Sequence, residues 1–284
     1  MNVRTKALCS SQTVLIFVTV TTFSSYLASS SLHTIIYVGC SDVKYNPAAA
    51  AAYASNLDFL LSSIAKSAAA SAYNAFNISI PGGGAAVYGV FQCRGDLSAA
   101  DCRRCVSHAV TRLGTACAGS GAGAAAGAAQ LEGCFVRYDD VAFVGVEDKS
   151  VVSDKCGPSD DKEPLRARDA ALAYLTAGNE YFRVSGSGKY QGVAQCVEDL
   201  NGMDCQDCLV EAIQRLKTQC AWSTSGDMFL GKCYARFSSR GLIPKPRNTN
   251  EMNKTLAIFV GIVMGIAILI IILSILRSIY GTKR

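Results

Sequence analysis

Two Cys-x-x-Cys pairs, Cys102/Cys105 and Cys205/Cys208, are the residues of this 284-residue chain with the most direct capacity for chemistry. Such pairs act as redox couples in thioredoxin-like proteins, and two pairs that meet bind zinc. A redox pair needs a β-α-β setting and a lowered thiol pKa. Because each pair belongs to its own set of six cysteines, we predict no catalytic, cofactor-binding or metal-binding residue.

The cysteine spacing occurs twice along the chain. Four cysteines of each set share the intervals x8, x2 and x11, and one upstream and one downstream cysteine complete the set. Even-numbered, repeated cysteines in small modules are typical of a disulfide framework formed in the secretory pathway. The first set is Cys40, Cys93, Cys102, Cys105, Cys117 and Cys134, and the second is Cys156, Cys196, Cys205, Cys208, Cys220 and Cys233.

Residues for nucleophilic or acid-base catalysis are few. The chain has two histidines, His33 and His108, and Glu211 takes the place of His108 in the second repeat. We interpret His108 as a solvated residue on a helix face. The carboxylate pairs Asp139-Asp140 and Asp160-Asp161 are adjacent in sequence, so along a strand they point to opposite faces, unlike a glycosidase pair. The sequence therefore predicts a protein that is not an enzyme.

Each repeat predicts the same helices and strands, as expected for two copies of one domain. After the close cysteine pair, apolar residues recur with helical spacing, and Asp101 and Asp204 are placed to cap that helix or favour its positive end. A second helix is predicted upstream, over Ala48–Ala70 and Leu165–Phe182. The predicted fold is α+β, two tandem disulfide-rich domains of two helices on an antiparallel sheet. The predicted strands are Ala85–Gln92, Cys134–Tyr138, Tyr190–Gln195 and Cys233–Phe237.

The predicted domain boundaries are residues 33–147 and 150–240. The polar segment between the two domains is short, so we expect the domains to lie close together. The run Gly119–Ala129 (GSGAGAAAGAA) is predicted to be a flexible surface loop within the first domain, because its composition is that of a flexible linker and cysteines close around it.

Both ends of the chain predict membrane targeting. Residues 1–30 resemble a signal peptide, with a signal anchor as the alternative. The uncharged stretch of 21 residues, 256–276, predicts one transmembrane helix after a stalk at 241–255, and the basic tail 277–284 predicts a type I topology. A removable anchor signal is the competing interpretation of the apolar stretch. Gly261 and Gly265 form a GxxxG pair, which is consistent with helix pairing in the bilayer.

Charge and sequons add two expectations. Without the basic residues at the two ends, the chain has 22 basic and 22 acidic residues, so the ectodomain is formally neutral and gives no electrostatic case for nucleic acid. Asn77-Ile78-Ser79 is a glycosylation sequon expected in an exposed loop. The sequon at Asn253 adjoins the predicted membrane helix and is expected to be skipped.

The repeated C-x8-C-x2-C motif resembles the plant cysteine-rich domain of ginkbilobin and of cysteine-rich receptor-like kinases. Two such domains, one membrane helix and a short tail without a kinase resemble the plasmodesmata-located protein family. This resemblance implies domains that dock rigidly, each with two helices packed on an antiparallel sheet. It also implies six disulfides: Cys40–Cys117, Cys93–Cys102, Cys105–Cys134, Cys156–Cys220, Cys196–Cys205 and Cys208–Cys233.

Ginkbilobin-type domains bind mannose through an Asn, an Arg and a Glu. The matching positions here hold Ser41, Ala128 and Asp139 in the first domain and Gly157, Asp227 and Ser238 in the second. The amide and guanidinium groups that bind sugar hydroxyls are absent from these positions. We therefore expect mannose binding at this site to be lost, and binding of another cell-wall glycan elsewhere stays open.

The resemblance implies a non-enzymatic plasma-membrane protein at plasmodesmata that regulates cell-to-cell movement, promotes callose deposition and has links to defence. Candidate partners are the membrane, a second copy or a related chain, receptor-like kinases, callose synthase machinery and viral movement proteins. Two alternatives remain: a membrane-tethered carbohydrate-binding or antifungal lectin, and a kinase-less accessory subunit of cysteine-rich receptor kinases.

Overall fold

The computed structural model describes residues 31–44, 50–79, 86–117, 123–159 and 165–239. Within these ranges, no helix is both long and apolar enough to cross a membrane. The predicted signal peptide, stalk, membrane helix and tail lie outside the described residues, and so do Gly261 and Gly265.

The first module is a five-stranded antiparallel sheet with two helices on one face. The strand order is β1-β4-β5-β3-β2, so the edges are β1 and β2. A short 3-10 turn, Ser31–His33, precedes the first strand. The elements are β1 (Ile35–Cys40), α1 (Ala50–Ser67), β2 (Tyr73–Ile78), β3 (Val87–Cys93), α2 (Ala99–Cys117), β4 (Gly127–Leu131) and β5 (Cys134–Asp139).

The second module repeats this arrangement with strand order β6-β9-β10-β8-β7. Both sheets therefore place the last strand of the module at the centre, between a hairpin partner and the strand that leads into the close cysteine pair. Its elements are β6 (Val151–Cys156), α3 (Leu165–Thr176), β7 (Phe182–Ser187), β8 (Tyr190–Cys196), α4 (Gly202–Gln219), β9 (Ser225–Leu230) and β10 (Cys233–Ser238).

The helices α2 and α4 hold each module together because they combine an apolar face with disulfide anchors, which are Cys102, Cys105 and Cys117 in α2 and Cys205 and Cys208 in α4. Most of their predicted apolar positions are buried, including Val106 and Leu113 in α2 and Leu209 and Leu216 in α4, whereas Ala116 near the end of α2 is exposed. Burying one such side chain contributes about 1.5–3 kcal/mol. The six disulfides have the pairing that the family resemblance implies: Cys40–Cys117, Cys93–Cys102, Cys105–Cys134, Cys156–Cys220, Cys196–Cys205 and Cys208–Cys233.

Polar residues cap the N-termini of α2 and α4, and each lies about one turn before the predicted aspartate, Asp101 or Asp204. The Asn201 side chain accepts hydrogen bonds from the backbone N–H groups of Met203 and Asp204. The Ser98 hydroxyl likewise accepts from the backbone N–H of Asp101, at 3.2 Å. The aspartates lie in the first helical turn, where a negative charge favours the positive end of the helix dipole.

The predicted helix over Leu165–Phe182 is too long at its C-terminal end, because α3 ends at Thr176. Side chains from other elements bind its last carbonyl groups. Arg183 donates to the carbonyl of Leu175 at 2.8 Å, and Gln206 donates to that of Thr176 at 2.8 Å. From Phe182 onward the chain pairs with β8 as an edge strand.

The glycine-alanine run is also different from its prediction as a surface loop. Residues 118–122 lie outside the described residues, but Gly127–Leu131 forms β4, between β1 and β5 in the sheet. Ala124, Ala125 and Ala129 are buried. Small residues are required here because the strand passes beneath the Cys40–Cys117 disulfide.

Replacing Gly127 with valine is expected to destabilise the fold by about 1–3 kcal/mol, the usual cost of overpacking. A Cβ atom at this position would lie 2.7 Å from Cε1 of Tyr138 and 3.0 Å from Sγ of Cys117. The control is Gly39→Val in β1, where a Cβ atom meets nothing within 4 Å. Urea denaturation measures both variants, and equal stabilities would contradict the packing argument.

Candidate functional site between the two modules

The three predicted sugar-site residues of the first module line one cavity of about 300 Å³. Ser41 follows β1, Ala128 lies in β4 and Asp139 ends β5, so three neighbouring strands bring them together. The second module closes part of the wall with Val152 and Gly231. The cavity is therefore a composite of both modules.

Arg137 supplies a guanidinium group to this cavity although Ala128 has none. In the β4–β5 register Arg137 lies directly opposite Ala128, so its side chain occupies the same sheet face. It donates to Asp139 at 3.1 Å and to Asp148 at 3.2 Å, and it lies 4.4 Å from the ring centre of Phe143. The ion pairs and the ring fix the orientation of the guanidinium at the cavity wall.

Asp148 contacts the Arg137 guanidinium from the segment between the modules, and Gly231 lies directly beside Asp148. The Asp148 carboxylate accepts hydrogen bonds from the hydroxyl and backbone N–H of Ser150, which help to lower its pKa below the usual range despite burial. A Cβ atom on Gly231 would lie 2.3 Å from Cγ of Asp148. The absence of a side chain at position 231 thus leaves room for the Asp148–Arg137 contact.

The other lining side chains are less able to bind a ligand. The Ser41 hydroxyl accepts from the backbone N–H of Val43 at 3.0 Å. Burial raises the pKa of Tyr37, so this phenol remains a neutral hydrogen-bonding group. The cavity therefore presents one guanidinium, two carboxylates and a phenol, a set that suits hydroxyl groups.

The corresponding site of the second module is closed. Its arginine, Arg236, binds Asp227 at 2.8 Å and is also bound by Glu132 of the first module, with Nη1 to Oε2 at 2.5 Å. A Cβ atom on Gly157 would lie 2.1 Å from Oγ of Ser225, so a side chain here would require this hydroxyl to rotate. The modules are thus non-equivalent: Glu132 fills one site, whereas its counterpart Gly231 leaves the other open.

A buried ion pair of the second module contacts the first module near the cavity. Lys232 and Asp199 form it, and each side chain is 1% exposed. The Lys232 ammonium also donates to the carbonyl oxygen of Phe143 at 3.0 Å, and the backbone N–H of Gly145 donates to Asp199 at 3.0 Å. Burial lowers the pKa of Lys232, an effect that Asp199 opposes.

Two glutamines complete the contact between the modules. The Gln92 side chain donates to a carboxylate oxygen of Glu198 and accepts from the backbone N–H of Glu198, both at 3.1 Å. Gln195, at the matching position of the second module, donates to the carbonyl of Cys93 at 2.9 Å. A small apolar cluster lies beside them and contains Val90, Phe135, Phe143 and Val197. These contacts fix the two sheets against each other.

The structure brings the two histidines together. The rings of His33 and His108 stack with their centres 4.0 Å apart, and His108 is exposed on α2 as predicted. Burial is the largest cause that lowers the pKa of His33, followed by the charges of His108 and Arg104. Within the described ranges, no three His, Cys, Asp or Glu residues are grouped so that they could hold a metal ion.

The remaining predicted residues are separate from the cavity or outside the described part of the chain. Asn77 is exposed but lies in the edge strand β2, not in the predicted loop. Asp140 directly follows the strand that Asp139 ends, and burial and the neighbouring Asp139 raise its pKa. Residues 160 and 161 are among those not described.

Arg137 and Asp148 are the functional residues that the sequence does not identify. Arg137 was included only within a predicted strand, and β4, the strand that places it opposite Ala128, was predicted to be a loop. The β4–β5 hairpin register could have identified Arg137. This register can be set from β5, whose first residue is a cysteine of the repeat, and it places Arg137 opposite Ala128. Asp148 lies in the segment between the modules, where the spacing of residues along the sequence predicts no contact.

Comparisons with known proteins agree with this architecture. The family model described as salt stress response/antifungal matches residues 39–141 and 161–240. Plasmodesmata-located protein 6 of Arabidopsis thaliana is 46% identical over 275 residues, which cover 91% of this chain and 93% of the relative. Plasmodesmata-located protein 7 of the same plant is 44% identical over 259 residues, covering 89% and 85% of the two chains.

A solved structure gives the same result for the fold. The crystal structure of the tandem DUF26 ectodomain from the Arabidopsis thaliana cysteine-rich receptor-like protein PDLP5 superimposes with a TM-score of 0.65 at 40% identity. The match covers 72% of this chain and 99% of that ectodomain. On the repeated cysteine framework, the tandem fold and these two sets of relatives, the chain belongs to the plasmodesmata-located protein family.

Proposed function

We propose that this chain is a single-pass type I membrane protein of plasmodesmata that modulates cell-to-cell trafficking through its ectodomain and membrane helix. The observation that carries the proposal is the match of 46% identity over 91% of the chain to a plasmodesmata-located protein. The fixed arrangement of the two modules supports a binding role, because it presents one rigid surface. With no catalytic group assigned, the proposed action is through partners.

The proposed partners follow from that role. Callose synthase machinery, receptor-like kinases, viral movement proteins and a second or related copy of the chain are candidates for contact with the ectodomain or the membrane helix. The proposed span, residues 256–276, anchors the ectodomain at the plasma membrane. N-glycosylation is proposed at Asn77, whose exposed position in an edge strand leaves the side chain accessible.

The proposed location and role are tested by imaging a fluorescent fusion of the full chain in leaf epidermis. We expect puncta at cell junctions and a changed spread of a mobile dye when the chain is overexpressed. A matched fusion in which Gly127 is replaced with valine controls for the folded ectodomain. Uniform plasma-membrane fluorescence with unchanged dye spread would overturn the proposal.

A second candidate function is recognition of a wall glycan by the cavity, and the oriented Arg137 guanidinium favours it. We expect Arg137→Ala to abolish glycan binding by the ectodomain, residues 31–239, because guanidinium and carboxylate groups bind sugar hydroxyls with directional hydrogen bonds. A glycan array measures the effect. The solved relatives fold as ectodomains alone, which supports the use of this fragment.

Arg236→Ala is the matched control for the array, since Arg236 holds the equivalent position but is bound by Glu132. Binding that survives Arg137→Ala, or that is lost equally with Arg236→Ala, would reject the cavity as the glycan site. Absence of any saturable glycan ligand would reject the second candidate function itself.

A further inference from the structure

Helix α2 carries a row of basic side chains on its exposed surface. Arg104, His108 and Arg112 are spaced four residues apart, so successive members lie about 6 Å apart along one side of the helix. We call these three residues the basic row. Arg104 is 55% exposed and binds Asp101 at 2.5 Å. His33 adds a second imidazole to the row by stacking on His108.

The matching helix of the second module has the opposite charge at two of these positions. Asp207 and Glu211 of α4 correspond to Arg104 and His108, and Arg215 corresponds to Arg112. Arg215 is bound to Glu211 at 2.6 Å. Within the described part of the chain, Arg112 has no hydrogen-bond or ion-pair partner. The basic row is therefore a property of the first module and not of the domain fold.

The histidine pair extends the row beyond α2, because His33 precedes β1 and stacks on His108. The Nε2 atom of His33 is buried and lacks a hydrogen-bond partner in the described structure. The charged groups that face His33 are His108, Arg104 and Asp101, all from α2. Asp101 only partly offsets burial and the positive neighbours of His33, so a further negative charge beside the pair would favour the protonated form of His33.

The side chains around the row limit the kind of anion. The large apolar side chains exposed in the described residues include none from α2, so the row has no group to insert into a membrane. It also offers no Phe, Tyr or Trp for stacking on nucleic-acid bases. Guanidinium groups bind carboxylates through paired hydrogen bonds, and a linear row fits a linear chain of carboxylates.

We propose that the basic row, with His33, binds an acidic polysaccharide whose repeating carboxylates belong to uronic acid residues. This inference rests on the extracellular placement of the ectodomain in the proposed function. Carboxylates of the bound chain lie beside Arg104 and Arg112 and add negative charge next to the histidine pair, beyond that of Asp101. The ectodomain as a whole is formally neutral and has no net charge to attract a polyanion. The affinity for the acidic polysaccharide therefore depends on α2.

The test measures binding of a fluorescent oligogalacturonate to the ectodomain by anisotropy at pH 5 and pH 7. Binding raises the pKa of His33 from its lowered value, so the complex takes up a proton and affinity increases as the pH falls below about 6.5. Arg112→Gln is expected to weaken binding at pH 5 about fivefold, the effect of one exposed ion pair. Arg112→Lys should retain most of the affinity, and His33→Gln should remove most of the pH dependence.

Arg215→Gln in α4 is the matched control and should leave binding unchanged. The proposal fails if Arg215→Gln and Arg112→Gln weaken binding equally, if affinity is the same at pH 5 and pH 7, or if dextran sulfate or phosphatidylserine vesicles bind the row as tightly as the oligogalacturonate. Because the assay uses the isolated ectodomain, binding can succeed or fail independently of the location measured by imaging.

Discussion

Replacing Lys232 with methionine is expected to reduce the free energy of unfolding by about 3–5 kcal/mol, because it leaves a buried carboxylate without its partner. Asp199 would retain only the backbone N–H of Gly145 as a donor, and Oδ1 of Asp199 already lacks a partner in the described structure. Urea denaturation of the ectodomain, followed by far-UV circular dichroism, measures the effect.

Two further variants test whether the loss of stability comes from the unpaired Asp199 carboxylate and not from replacing a lysine in general. Lys66→Met replaces an exposed lysine of α1 and should change stability by less than about 0.5 kcal/mol. The double variant Lys232→Met/Asp199→Leu removes both charges and should recover most of the lost stability, because an apolar pair tolerates burial. A loss for Lys232→Met no larger than that for Lys66→Met would show that the buried ion pair does not stabilise the fold.

The second large effect concerns the long-range disulfides. Cys40–Cys117 links residues 77 positions apart, whereas Cys93–Cys102 links residues 9 apart. Removing the first by paired alanine substitutions should cost about 4.5 kcal/mol and removing the second about 2.6 kcal/mol, because a longer closed loop restricts the unfolded chain more. Equilibrium urea unfolding under non-reducing conditions measures the difference.

The second module repeats this experiment with its own pair of bonds. Cys156–Cys220 spans 64 residues and Cys196–Cys205 spans 9, so the same order of stabilities is expected. If the short-range bonds proved to be the more stabilising in both modules, the loop-closure explanation would be wrong for this fold.

The helices and the central strands were predictable because their signals are local. The apolar stripe of α2 and the alternating residues of β5 follow directly from residue order. Strands β1, β2, β4, β6, β7 and β9 were not predicted. The residues of β4 (GAAQL) are mostly small and form a strand through pairing, whereas β1 (IIYVGC) does carry a β-branched and aromatic run that could have predicted it. Gly127 in β4 shows why: its role depends on contacts with Tyr138 and Cys117 that exist only once β4 pairs with β5 and packs on α2.

The cavity was predictable only in its position. Ser41, Ala128 and Asp139 were placed together through the family resemblance, and they do line one cavity. Its chemistry could not be predicted, because Arg137 enters by cross-strand register and Asp148 by a contact from the segment between the modules. The difference between Glu132 and Gly231 had no meaning until the two modules were seen in contact.

The difference between Glu132 and Gly231 determines how many ligand molecules one chain can bind. A chain that contains the same domain twice would be expected to bind two ligand molecules and to gain avidity on a surface with repeated epitopes. Here the Glu132–Arg236 contact uses one of the two sites to join the modules. Any ligand of the cavity therefore binds with a stoichiometry of one per chain, and multivalent attachment to a polymer requires several chains side by side.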